Sequence, residues 1–150
     1  MIILRGIRDH FPARRLEWVC AAIMGGIGMR LLDPAETFSQ PVFAELARWA
    51  SEGTWGAIMF SIGFARLVVL AYNGAWRPSP ELRGVFAIAG SLVWLAFAIG
   101  IEASGTASSG SITYAFLALG ELSNVWTAAG DARTPYRERL GNGKHTGGTA

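Results

Sequence analysis

Residues 84–101, GVFAIAGSLVWLAFAIGI, run for 18 positions without a charged side chain. A helix needs about 20 mainly apolar residues to cross the hydrocarbon core of a bilayer. Three other stretches approach that requirement: 16–32 (LEWVCAAIMGGIGMRLL), 55–72 (WGAIMFSIGFARLVVLAY) and 111–129 (SITYAFLALGELSNVWTAA). Between them the charges gather in short blocks. Only 16% of the chain is charged, against about a quarter in ordinary soluble domains. This segregation predicts an all-α fold, an integral membrane four-helix bundle. A single four-span domain would occupy residues 1–133, followed by a polar, glycine-rich tail, 134–150, expected to lack fixed structure.

The boundaries have chemical reasons. Asp33-Pro34 ends the first span, because the residue before a proline is pushed out of the helical region. Asn73-Gly74 favours a turn after the second span, and EASGTASSG, residues 102–110, suits a short connection before the fourth. No small-residue cleavage site follows the first span, so a retained helix is expected there rather than a signal peptide. Residues 39–52, SQPVFAELARWASE, have a different pattern. Val42, Phe43, Leu46, Trp49 and Ala50 share one helical face, with Glu45, Arg48 and Glu52 on the other. This predicts a short interfacial amphipathic helix in the first external loop, with Ser39 and Pro41 as its start signal.

Lys and Arg concentrate in cytoplasmic loops. Arg5, Arg8, Arg14 and Arg15, then Arg77 and Arg83, then Arg133, Arg137, Arg139 and Lys144 all fall on one side of a four-span chain. The other side holds Arg30 and Arg48 beside Asp33, Glu36, Glu45, Glu52 and Glu102. Ten basic residues against two predict cytoplasmic N- and C-termini. Trp18, Trp55, Trp76 and Trp126 stand near the expected span ends, where an indole keeps its ring in lipid and its N–H at the headgroups.

A charge at the centre of a membrane helix costs at least about 2.5 kcal/mol, which singles out Arg66 and Glu121. The second and fourth spans run in the same direction, and both residues lie about 15–17 Å deep at the helical rise. Equal depth permits an ion pair. Tyr114, Leu117, Glu121 and Asn124 share one helical face and make a polar stripe, to which Ser61, Tyr72 and Ser91 are candidate contributors. Such groups either glue helices together or line a water-filled or ion-conducting path. Ala21 with Gly25, and Ala22 with Gly26, are small pairs four residues apart that suit close helix contact, within one copy or in a homo-oligomer. Glu17, one turn from Arg14, is expected to form a surface pair of little energetic value.

Several function classes drop out. Cys20, the single cysteine, lies inside an apolar stretch and reads as a small filler. His10 and His145 lie in the two arms, so no metal or haem ligand set stands within the spans. No nucleophile with its base, paired-carboxylate site or phosphate loop can be written, so neither an enzyme nor a cofactor is expected. A net charge of +2 without a basic stripe interleaved with aromatics gives no footprint for nucleic acid. The expected partner is the lipid bilayer.

The runs LEWVCAAIMGG, LLDPAETFSQPVFAELARWASEGTWG, GFARLVVLAYNGAWRPSPELR and ITYAFLALGELSNVWTAAGDAR together resemble a group of small four-span membrane proteins of tailed bacteriophages and prophages, generally of unassigned function and sometimes labelled holin-like. The resemblance covers most of the chain. It implies a bacterial inner-membrane protein that self-associates and permeabilises the membrane. Most familiar holins have one to three spans. Two other readings stay open: a small transporter or channel subunit that uses Glu121, and an interaction protein that blocks superinfection.

Overall fold

Five α-helices and no strand occur among the residues that the computed structural model describes, which are 14–34, 36–75 and 79–143, with side chains at 14–34, 36–72 and 79–133. In chain order these are α1 (Arg15–Leu32), α2 (Ala44–Trp49), α3 (Glu52–Ala75), α4 (Pro80–Ala103) and α5 (Gly110–Gly143). The four long helices alternate in direction. α1 packs along α3, and α4 along α5; these two hairpins meet through narrower contacts of α3 with α4 and of α1 with α5. The cyclic order is therefore α1, α3, α4, α5, which leaves α1 across the bundle from α4, and α3 across from α5.

Among the described residues, two helices are long and apolar enough to cross a membrane, over Glu52–Tyr72 in α3 and Pro80–Ala103 in α4. In the apolar 18-residue window of each, 28% and 50% respectively is buried inside the bundle, so much of their apolar surface faces outward. α1 carries three charges, Arg15, Glu17 and Arg30, within its 18 residues. α5 is diluted by serine, threonine, asparagine and glycine.

Glycines let α1 and α3 come together. A Cβ placed on Gly28 would sit 2.7 Å from Phe60 Cα, and one on Gly63 2.7 Å from Gly25 Cα, closer than real Cβ atoms approach. The shortened distance gives dispersion contact between backbones. Ala21 and Gly25 are buried in this contact, whereas Ala22 and Gly26 are exposed on the far face of α1, with nothing within 4 Å of a Cβ on Gly26.

Three boundaries depart from expectation. α3 runs through Asn73 and Gly74 to Ala75, because one glycine costs an established helix only about 1 kcal/mol. α4 begins at Pro80, four residues before the predicted span, since proline suits the first helical turn. The tail expected to lack structure from residue 134 is helical as far as Gly143. Extending an existing helix needs no new nucleus, and Arg137, Glu138, Arg139 and Leu140 are good helix formers. The arm 1–13, Trp76, Arg77 and residues 144–150, with four of the ten basic residues behind the topology expectation, Arg5, Arg8, Arg77 and Lys144, lie outside the described residues.

The predicted amphipathic helix at 39–52 is broken into two 3-10 turns, Thr37–Ser39 and Pro41–Phe43, followed by α2. Ala50 is extended (φ −159°, ψ 161°) and separates α2 from α3. Tertiary contacts override the helical period here. Leu46 is fully buried over Gly100, where a Cβ would meet Leu46 Cγ at 2.7 Å. Phe38 stacks on Phe43 with centroids 5.3 Å apart, and Trp55 meets Phe97 edge-on at 5.2 Å. The Trp55 indole donates to the Leu46 carbonyl at 3.1 Å, and the Glu52 carboxylate accepts the backbone N–H groups of Thr37 and Phe38, each at 2.9 Å. The segment is a cap folded onto the loop end of the bundle.

Gly28→Leu is expected to destabilise the protein by at least about 1–3 kcal/mol through overpacking, whereas Gly26→Leu should stay within about 0.5 kcal/mol. Unfolding of the purified variants in detergent measures both; equal losses would mean that α1 and α3 do not meet on the Gly28 face.

Candidate functional site on the bundle axis

Arg66 on α3 and Glu121 on α5 meet. Their side chains are 1% and 0% exposed, and one guanidinium nitrogen of Arg66 donates to both carboxylate oxygens. The two helices stand across the bundle from each other, so the pair lies on its axis. Asn124, one turn along α5, donates its amide to Glu121 Oε2 at 3.0 Å. Gly90 on α4 makes room for the carboxylate, because a Cβ there would lie 2.9 Å from Glu121 Oε1. Ser91 is buried beside it and donates to the Ala118 carbonyl at 3.3 Å.

The rest of the expected polar stripe divides. Tyr114 is half-buried, stacked on Trp94 at 5.5 Å and edge-on to Phe97 at 5.3 Å. It belongs to the aromatic part of the core. Ser61 is exposed on the outer side of α3, and Tyr72 is half exposed. Among the described residues, Nε and Nη2 of Arg66 and the indole nitrogen of Trp94 are buried donors without an acceptor. Buried donors are rarely left so, and each one marks a place where packing has been set against polarity.

A second buried cluster was not anticipated. Glu17 on α1 is 2% exposed and Arg83 on α4 is 2% exposed. Arg83 Nε donates to Glu17 Oε2 at 2.9 Å, its Nη2 donates to Glu17 Oε1, and its Nη1 donates to Asp131 Oδ2 on α5 at 2.6 Å. The expected surface pair of Glu17 with Arg14 gives way to a forked pair with Arg83, because the planar guanidinium matches a carboxylate through two parallel N–H bonds. Spacing along α1 alone points Glu17 to Arg14; the partner that wins is 66 residues away in sequence. The usable signal was Pro80, which starts α4 early enough to bring Arg83 inside the bundle.

Both pairs join helices that stand across the bundle from each other. Arg66 with Glu121 ties α3 to α5, and Glu17 with Arg83 ties α1 to α4. Asp131 and Glu121 lie ten residues apart on α5, about 15 Å along the axis at the helical rise. Cys20, 1% exposed, lies one turn from Glu17 on α1 and against Gly120 on α5, between the clusters. Polar groups thus extend from Asp131, whose side chain is 47% exposed, to the middle of the bundle. The opposite half is closed by Met24, Met59, Trp94, Phe97, Leu46 and Ile101, all at most 2% exposed. No group of three or more His, Cys, Asp or Glu that could hold a metal occurs among the described residues.

Removing one charge of a buried pair leaves the other unpaired, which costs about 3–5 kcal/mol, whereas replacing both by apolar groups of similar volume is often close to neutral. Glu121→Leu should therefore destabilise the protein by several kcal/mol, and Arg66→Met together with Glu121→Leu should recover most of that loss. Unfolding midpoints in detergent check this, and additive losses would mean the two residues do not depend on each other. In comparisons with known proteins, no family model, no curated protein and no solved structure matches this chain.

Proposed function

We propose that this chain is a four-span integral membrane protein of the bacterial inner membrane, with both termini in the cytoplasm, and that it self-associates to permeabilise that membrane in a holin-like manner. The observation that carries the reading is the inverted polarity of the bundle. All four long helices turn large apolar side chains outward: Leu16, Val19, Met29 and Leu32 on α1; Ile58, Phe64 and Val68 on α3; Val85, Ile88, Leu92, Leu95 and Ile99 on α4; Ile112, Phe116, Leu119 and Leu122 on α5, each 40–69% exposed. Meanwhile Arg66, Glu121, Glu17 and Arg83 are inside. Water as the outer solvent would favour the reverse arrangement, and exposed apolar faces of this extent mark a surface that meets lipid or protein. In this reading α1 and α5 cross beside α3 and α4, their charged residues neutralised within the bundle.

One copy is sealed by the aromatic half of its core, so permeation requires several copies. The outward small pair Ala22 and Gly26 gives α1 a place where another helix can approach closely. A second reading, a transporter or channel subunit that uses Glu121, draws on the polar groups that lead from Asp131 to that carboxylate.

The test is inducible expression in a bacterial host with continuous recording of membrane potential and culture density. Wild type is expected to depolarise the cells abruptly. Glu121→Ala, matched for membrane level, should lose the effect, and Ala22→Leu with Gly26→Leu should reduce it without lowering the amount of folded protein. A stable potential with well-inserted wild type would overturn the permeabilising reading and leave transport.

A further inference from the structure

The two hairpins differ from the seam between them. Within each hairpin the helices pack along their length, α1 on α3 through facing glycines and α4 on α5 through Gly84, Gly90 and Gly110. Across the seam the helix contacts are narrower, and they are concentrated in a few complementary features. Hairpin one supplies Arg66, Glu17 and the side chain of Leu46; hairpin two supplies Glu121, Arg83 and the gap over Gly100. Apart from Asp131, which shares Arg83 within hairpin two, neither hairpin neutralises its own buried charges. Each carries one cation and one anion whose buried partner sits on the other, and leaving either unpaired in a bilayer costs several kcal/mol.

Any hairpin two satisfies any hairpin one. We infer that self-association proceeds by hairpin exchange, in which Arg66 and Glu17 of one copy pair with Glu121 and Arg83 of a second copy of this chain. The idea rests on the self-association proposed above and specifies its chemistry. Four residues, 76–79, connect α3 to α4. Fully extended, such a link spans about 14 Å, more than the roughly 8–10 Å between packed helices. Exchange re-forms every seam contact between copies, which makes it a low-cost route from monomer to assembly, and a head-to-tail series of exchanges closes into a ring if the rotation permits.

Two experiments test the inference without using permeability. In the first, Arg66→Glu and Glu121→Arg are made in separate chains. Each alone sets like charges against each other and is expected to be degraded or to aggregate. Co-expressed with distinct tags, the two chains complement each other in both pairs only if hairpins exchange, so both should accumulate as a co-purifying complex. Both changes placed in one chain control for tolerance of the reversed pair. In the second, Gly120→Cys is introduced on α5, where a Cβ lies 3.7 Å from Cys20 Sγ on α1. Oxidation of the full-length protein in membranes should link separate chains into dimers and higher species on a denaturing gel. Oxidation confined to a disulfide within single chains, or no rescue on co-expression while the doubly reversed chain accumulates, would overturn hairpin exchange. Depolarisation by wild type in that case would still support permeabilisation, by unexchanged copies.

Discussion

A guanidinium and a carboxylate on the axis of a bundle with apolar outer faces can be held there only together. Arg66 and Glu121 fix more of the arrangement than any apolar contact does, because a leucine on α3 has many acceptable neighbours in lipid or protein and Arg66 has one. Pairing across the bundle requires α3 and α5 to stand opposite each other. That leaves α1 and α4 as the other opposite pair, and Glu17 with Arg83 joins those. Gly90 opens space for the carboxylate, and Asn124 takes up one of its remaining lone pairs. With two such constraints at different heights along the axis, neither rotation of a helix nor a one-turn slip preserves both pairs.

The same placement makes the interior asymmetric. From Asp131 through Arg83, Glu17, Cys20 and Asn124 to Glu121 the core is polar, and it opens at the end where α1 begins and α4 starts. Beyond Glu121 it becomes aromatic and aliphatic, closed by Trp94, Tyr114, Phe97 and Leu46. The cap over 37–49 belongs to this closed half. Glu52 and Trp55, which read as polar face and interfacial anchor in the sequence, spend their side chains on holding that cap.

Hydropathy and charges placed inside apolar stretches made four long helices and the Arg66/Glu121 encounter legible in the sequence, since both follow from local composition and a depth count. Glu17 was misread because the i, i+3 neighbour Arg14 is visible in one dimension and Arg83 becomes visible only once α1 and α4 are placed across the bundle. The 39–52 segment was misread for a related reason. Its helical period is real, but burying Leu46 over Gly100 and pinning the chain through Glu52 and Trp55 outweigh a continuous helix. Which small pair on α1 faces inward also needed α3: Ala21 with Gly25 and Ala22 with Gly26 are equivalent until Gly63 selects the first.

The choice of ions for the seam and glycines for the hairpins has a physical logic if lipid is the solvent. An apolar seam between two hairpins has little advantage over contact with acyl chains, so nothing would draw the hairpins into one register. Facing glycines solve that within a hairpin, where the chain already holds two neighbours together and dispersion needs only short range. Between hairpins the attraction must act before close packing is reached, and opposite charges in a low dielectric do so. A buried pair adds little net stability over an apolar core of the same shape. What it adds is a severe penalty for every arrangement in which the partner is missing, and that penalty is indifferent to whether the partner is in the same chain or in the next.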